Sequence, residues 1–264
     1  RAMRGVEWNL LAAEGIKALE LHGSEQAALT AVGIELADPE VALAAAQRNE
    51  ARRALPSELA LQAAAIMRIL AELMPKEPEV HGLVALMEIQ ASRARARVDA
   101  DGKPILLLEQ NRALWDQLLI RRGLGALERA EKLGGALGPY ALQAAIAACH
   151  ARATIAAQTD WARIAALYAA LGQMTASPIV ELNRAVAVAM AFGPQAGLDL
   201  VDTIAGEPTL ENYHLLPSVR GDFLKKLGRY DEARVEFERA AALTRNSRER
   251  DLLLERAREC AEAA

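Results

Sequence analysis

The stretch YHLLPSVRGDFLKKLGRYDEARVEFERAAAL, residues 213–243, contains two helical patterns separated by a glycine. In the second pattern, Ala233, Phe237 and Ala240 recur at spacings of four and three, which place them on one face of a helix. Gly228 ends the first pattern, as glycine often does just beyond a helix. The stretch therefore predicts two antiparallel helices that share one apolar interface.

This spacing is similar to that of the tetratricopeptide repeat, which places small residues where its two helices cross. Gly221 is the small residue of the first helix, Leu224 fills space beside it, and Tyr230 packs at the turn. Pro217 and Arg220 depart from the pattern, which prefers Trp and Leu there. We expect one unit of a stacked array, in which each helix pair buries its apolar face against its neighbours.

The composition extends this prediction to the whole chain of 264 residues. Hydrophobic residues make up 52% and aromatic residues only 4%, so the apolar residues are mostly the helix formers Ala and Leu. Proline and glycine separate about a dozen helical segments. We predict an all-α, tetratricopeptide-like array of antiparallel helix pairs over residues 59–264. For residues 1–58 we predict an N-terminal helical segment whose relation to the array the sequence leaves open, and in which Gly15, Ala27 and Pro39 have the separations of a weaker second repeat copy.

One segment interrupts the helical pattern. RVDADGKPILLLEQ, residues 97–110, predicts an irregular loop or a small hairpin. Asp99, Asp101 and Gly102 resemble the start of a calcium loop, but the twelfth position is Gln110 instead of a bidentate Glu. We therefore interpret the aspartates as parts of a polar turn, in which they bond the backbone.

The charge and the motifs exclude several classes of protein. The formal net charge is −4, from 31 basic and 35 acidic residues, which argues against a chain that mainly coats nucleic acid. No sequence motif for catalysis, phosphate binding or metal binding occurs, and no apolar run is long enough for a bilayer. Cys149 and Cys260 lie far apart and predict reduced, buried thiols of a cytoplasmic protein. We expect neither enzyme activity nor a cofactor, a metal, membrane insertion or direct DNA binding.

Basic and aromatic residues offer two further features with open interpretations. Arg93, Arg95 and Arg97 have no acidic neighbours in the sequence, so they form either a solubilising face or a docking patch. Trp115 and Trp161 each stand beside an Asp at a predicted helix start. We favour a core position for both tryptophans over a position that lines a binding groove.

From Leu59 to about Glu259, roughly three-quarters of the chain, the sequence also resembles a known family. It is similar to the C-terminal extension of a group of bacterial extracytoplasmic-function RNA polymerase sigma factors, a tetratricopeptide-like helical domain. The segments that carry the resemblance are ILAELMPKEPEVHGLVALMEIQASR, ARVDADGKPILLLEQNRALWDQLLI, GPYALQAAIAACHA, TDWARIAALYAAL, SPIVELNRAVAVAMAFGPQAGLDLVD and YHLLPSVRGDFLKKLGRYDEA, in this order.

The resemblance implies a regulatory or docking module of transcription initiation. Its partners would be its own sigma core, RNA polymerase or a signalling protein. In such sigma factors two regions that bind DNA and polymerase precede the extension, whereas residues 1–58 are too short for both. These residues also lack the turn glycine and basic recognition helix of a helix-turn-helix. The chain is then either a C-terminal part of a sigma factor or a relative with extra helices; a scaffold without a transcription role is the alternative.

If the array has a binding groove, polar and aromatic side chains of the resembling segments are the best candidates to line it. Buried hydrogen bonds between helices are the competing interpretation, above all for Asn183 and Arg184. The predicted partner-binding residues are Arg112, Trp115, Asp116, Asn183, Arg184, Tyr213 and His214.

Overall fold

The computed structural model describes residues 64–99 and 105–263 as helices joined by short connections. Residues 64–73 belong to helix α1. The others are α2 (Pro78–Ser92), α3 (Gln117–Lys132), α4 (Pro139–Arg152), α5 (Trp161–Thr175), α6 (Pro178–Phe192), α7 (Pro194–Ile204), α8 (Leu215–Lys226), α9 (Tyr230–Leu243) and α10 (Ser247–Ala263). No β-strand occurs within these ranges. The all-α prediction is confirmed, while the predictions for residues 1–58, including the weaker repeat copy, lie outside the described residues.

The helices are stacked in chain order. From α2 onward each helix packs against the next one, and α2 additionally packs against α4. Single-turn 3-10 helices occupy several of the connections, at Ala94–Ala96, Arg112–Leu114, Ala156–Gln158 and Pro208–Leu210. This arrangement confirms the predicted tetratricopeptide-like array of helix pairs.

Local sequence signals set most helix boundaries. α2, α4, α6 and α7 all begin with a proline, whose missing N–H needs no partner in the first helical turn. Gly193 separates α6 from α7 with a φ of 101°, a backbone conformation that side chains disfavour. Asp160 caps α5 by accepting a hydrogen bond from the Arg163 backbone N–H at 2.9 Å. The predicted helix start at Trp161 is therefore correct.

The largest part of the core lies between α6 and α10 and contains the stretch from Tyr213 to Leu243. Phe237 and Ala233 are completely buried there, as the spacing predicted. A Cβ atom on Gly221 would lie only 2.8 Å from Cε1 of Phe237, so this position has no room for a side chain. The glycine thus lets α8 and α9 cross closely over one aromatic ring.

The two departures from the repeat pattern have structural reasons. Pro217 is buried in the first turn of α8, where a backbone N–H is not required by the helix. Arg220 donates hydrogen bonds of 2.8 Å to Asp202 of α7 and to Glu236 of α9. Where the pattern prefers Leu, this chain therefore ties three successive helices together through one guanidinium group.

Small residues bring α2, α3 and α4 close together. The shared core of these helices is made largely of alanines, together with Ile89 and Leu127. A Cβ atom on Gly82 would lie 2.7 Å from the backbone nitrogen of Ala141 in α4. The high alanine content therefore serves close helix packing as well as helix propensity.

A carboxylate of α2 caps the N-terminus of α4. Glu79 accepts hydrogen bonds from the backbone N–H groups of Tyr140 at 2.8 Å and Ala141 at 3.4 Å. A Cβ atom on Gly138 would strike the carboxylate of Glu79, so any larger residue there would displace this cap. This cap links two helices of the array and places a negative charge at the positive end of the α4 dipole.

Candidate interaction surface

The connection between α2 and α3 brings three of the predicted partner-binding residues together. Arg112 lies in the 3-10 turn before α3, and its Nη1 donates hydrogen bonds to the backbone oxygens of His150 at 2.5 Å and Ala153 at 2.7 Å. Its Nη2 donates to Oγ1 of Thr159 at 3.2 Å. Arg112 thereby binds the C-terminal end of α4, where carbonyl groups lack helical partners.

Trp115 is a core residue, which is the favoured interpretation of this tryptophan, although it was also a predicted partner-binding residue. It is 3% exposed and packs with Ala96, Leu107 and Ile120. The guanidinium carbon of Arg112 lies 5.0 Å from the centre of its ring, within the range of a cation–π contact. Trp115 therefore packs on the inner side of the connection, and its ring makes a further contact that holds the Arg112 side chain in position.

Asp116 caps the following helix. Its Oδ1 accepts hydrogen bonds from the backbone N–H groups of Leu118 at 2.8 Å and Leu119 at 3.1 Å. Its own N–H donates to the carbonyl of Ser92 at 2.8 Å, which joins the start of α3 to the end of α2. Helix α3 consequently begins at Gln117, after Trp115 rather than before it.

Two arginines of the predicted docking patch belong to the same location. Arg93 is buried, and its guanidinium carbon lies 5.8 Å from the centre of the Trp115 ring. Arg97 donates to the backbone oxygen of Gln90 at 2.9 Å. Arg95, in contrast, is exposed to solvent. We call Arg93, Arg97 and Arg112, gathered beside Trp115, the arginine cluster.

Charge repulsion and burial act together in this cluster. Burial, followed by the charges of Arg97 and Arg112, lowers the pKa of Arg93 to about 9. Burial and the charges of Arg93 and Arg112 lower the pKa of the neighbouring His150 to about 3, so its ring is neutral near pH 7. The sequence carried a signal for Arg93 and Arg97, a basic run without acids, but none for His150, which reaches the cluster only through the packing of α4.

Asn183 and Arg184 lie in α6. Asn183 is buried at 4% exposure, which agrees with the structural interpretation of this residue. Arg184 is half-buried and forms an ion pair of 2.7 Å with Glu181, one helical turn earlier. A role of these two residues in partner binding stays a prediction.

Tyr213 and His214 precede α8. Tyr213 packs against the large core cluster, and its ring centre lies 6.0 Å from that of His214. The carbonyl oxygen of His214 accepts a hydrogen bond from Oγ of Ser218 at 2.8 Å, and Nε2 lies 3.4 Å from Glu249 of α10. Both residues join α8 to its surroundings, and their contact with a partner also stays a prediction.

The remaining sequence features are the two cysteines, the segment that interrupts the helices, and possible metal-binding or membrane-spanning groups. Cys149 and Cys260 are free, buried thiols, as expected. Residues 105–110 form a turn without regular secondary structure, whereas Asp101 and Gly102 of the same segment lie outside the described residues. The described part of the chain contains no group of three or more His, Cys, Asp or Glu residues able to hold a metal. None of the helices in that part has the length and apolar character needed to cross a bilayer.

Comparisons with known proteins find one family model and one relative that are similar to part of the chain. Residues 44–131 match the family described as "Family of unknown function (DUF6596)", and this range contains the whole arginine cluster. "Uncharacterized protein R00370" of Rhizobium meliloti is 47% identical over 193 residues, which cover 73% of this chain and 45% of that protein. The chain thus spans less than half the length of this relative. No solved structure matches the chain.

The chemistry of the arginine cluster is that of hydrogen bonding by charged groups. The arginine cluster presents guanidinium groups, which bind carboxylates and phosphates through paired hydrogen bonds. Apolar residues near it are exposed, among them Leu114 and Leu118 at about half of their surface. The described residues therefore place guanidinium groups close to exposed apolar side chains.

Proposed function

We propose that this chain is a non-enzymatic interaction and regulatory domain of an extracytoplasmic-function sigma factor. It would act in transcription initiation by docking to its sigma core, to RNA polymerase or to a signalling protein. The observation that carries the proposal is the array itself, in which each helix packs against its neighbours along the chain. Arrays of this kind provide extended surfaces for binding other proteins.

Two further observations support the sigma-factor part of the proposal. The segments that resemble sigma-factor extensions occupy consecutive helices of the array, from α1 to the start of α9. The Rhizobium meliloti relative extends well beyond the matched region, so a protein of that length has room for a sigma core beside the helical domain. A cytoplasmic location follows from the proposed role.

The first test is to read the coding sequence that precedes Arg1. The proposal expects the reading frame to continue into a sigma core that contains a helix-turn-helix. Biolayer interferometry of the chain against that purified core and against RNA polymerase core then measures docking, with dissociation constants of about micromolar or tighter expected. A folded chain that binds neither protein refutes the transcription role and leaves the stand-alone scaffold as the interpretation.

Variants locate the docking surface. Alanine at Arg184 or His214 should weaken binding at least about fivefold, while the helical circular dichroism signal stays unchanged. Alanine at Arg234, an exposed residue paired with Glu238 on α9, is the matched control and should leave binding unchanged. If both test variants bind like the control, these two residues have only structural roles.

A further inference from the structure

Arg93 and Arg112, the two arginines that contact the Trp115 ring, form no ion pair with a carboxylate among the described residues. The guanidinium groups of Arg93 and Arg112 both lie within 5.8 Å of the Trp115 ring centre. Arg93 donates to the side-chain oxygen of Gln90, and Arg112 donates to backbone carbonyls and one hydroxyl. All these acceptors are neutral. Two guanidinium charges are therefore held beside one ring with only neutral hydrogen-bond partners.

Several buried donors at the same place lack an acceptor. Nε of Arg93, Nε of Arg112 and Nε1 of Trp115 are all buried without a hydrogen-bond partner. Each unpaired donor costs free energy, because it has lost water without gaining a replacement. The three donors all belong to residues whose guanidinium or indole groups lie beside one another.

A bound oxyanion would balance the positive charge of the two arginines and would accept hydrogen bonds from the buried donors. It supplies negative charge, and its oxygens accept several hydrogen bonds from N–H groups at once. Guanidinium groups suit this task because they remain charged, are weakly hydrated and present their donors in a rigid plane. Burial and the neighbouring arginines weaken the proton affinity of Arg93, and a bound anion would restore it.

We propose that Arg93, Arg112 and Trp115 form a binding site for an oxyanion, a phosphate or a carboxylate group. The site lies where the connection between α2 and α3 meets the C-terminal end of α4. The bound group accepts hydrogen bonds from the three orphaned donors and neutralises the two guanidinium charges. This inference does not depend on a role in transcription, since it rests only on the chemistry of these side chains.

Thermal unfolding of the chain at constant ionic strength tests the site. Sulfate and phosphate stabilise proteins generally because they are excluded from the surface, so the oxyanion response is the rise in unfolding temperature beyond that common effect. On replacement of sodium chloride by sodium phosphate, sodium sulfate or sodium acetate, this response should be about 5 °C at a saturating concentration of the bound anion. A response to phosphate and sulfate alone assigns a phosphate-type ligand, whereas a response to acetate also assigns a carboxylate. Equal unfolding temperatures in chloride and in all three oxyanions would overturn the proposal.

A variant with little risk of unfolding assigns the response to this site. Arg93→Met keeps the length of the side chain and removes the buried charge, so it should fold with at least the wild-type unfolding temperature in chloride. It should lose the oxyanion response, whereas the exposed-surface variant Arg234→Met should keep it. A response that persists in Arg93→Met places the anion elsewhere and refutes this site.

Discussion

The close crossing of α8 and α9 predicts a specific energetic coupling between Gly221 and Phe237. A methyl group on Gly221 would lie 2.8 Å from the Phe237 ring, closer than any relaxed contact. Replacing Phe237 by Ala removes the ring that this methyl group strikes and leaves a cavity in its place. The two substitutions should therefore compensate each other in part when they are combined.

The magnitudes follow from burial and helix propensity. Phe237 is completely buried, so Phe237→Ala should cost about 4 kcal/mol of unfolding free energy. Gly221→Ala introduces overpacking of about 2 kcal/mol but gains about 1 kcal/mol of helix propensity, a net cost of about 1 kcal/mol. In the double variant the overpacking disappears, so its cost should be about 3 kcal/mol. The cost of the double variant is thus about 2 kcal/mol smaller than the sum of the two single costs, and this difference is the coupling energy.

Urea unfolding of the four proteins, followed by circular dichroism, measures this coupling. The slope of the unfolding free energy against urea concentration must be the same in all four proteins. A changed slope would show that part of the array unfolds separately, as arrays of repeats can. Gly125→Ala on α3 is the matched control, since no atom lies within 4 Å of a Cβ atom there. It should stabilise the chain by about 1 kcal/mol and be additive with Phe237→Ala. Additivity of Gly221→Ala with Phe237→Ala within about 0.5 kcal/mol would refute the packing argument.

Three other properties can be measured on the same protein. Glu79→Gln should cost about 1 kcal/mol, because the cap of α4 loses its charge, whereas Glu128→Gln in a solvent-exposed pair should leave the unfolding free energy nearly unchanged. The depressed pKa of His150 keeps its ring neutral in the folded chain, so stability that is present above pH 6.5 should be lost as the pH falls toward about 3. His150→Gln should reduce this loss by up to about 1.4 kcal/mol per pH unit. Burial raises the pKa of the Cys149 and Cys260 thiols, so iodoacetamide at pH 8 should react with them only as fast as the chain unfolds.

Each of these predictions has an outcome that contradicts it. Equal losses of stability in Glu79→Gln and Glu128→Gln would show that the charged cap contributes nothing beyond an exposed pair. Identical stability profiles of wild type and His150→Gln between pH 6.5 and pH 4 would show that the buried imidazole is not the source of the acid sensitivity. Alkylation of either cysteine within minutes in the folded chain, at a rate independent of unfolding, would show that the thiols are accessible.

Local patterns were sufficient for the helices. The bounds of α9 and α10 agree with the segments that the sequence indicates, because Gly228 and Asn246 interrupt strong periodic patterns. The close approach of Gly221 and Phe237 was also predictable, because the tetratricopeptide-like pattern places small residues where its two helices cross, and the spacing of Ala233, Phe237 and Ala240 puts Phe237 on one face of α9. The start of α3 differs from the predicted start at Trp115 by two residues, because Asp116 caps the helix and Arg112 to Leu114 form a 3-10 turn before it.

Residue types along the chain thus determined that this protein is an array of helices with small residues at its crossings. Only the tertiary structure decided which polar residues meet. Arg93, Trp115 and His150 come from different elements, and their proximity depends on how α2 and α4 pack. The physical reason is range: helix propensity and capping act within about one helical turn. The electrostatic and hydrogen-bonding environment of a side chain depends on neighbours that are distant in sequence.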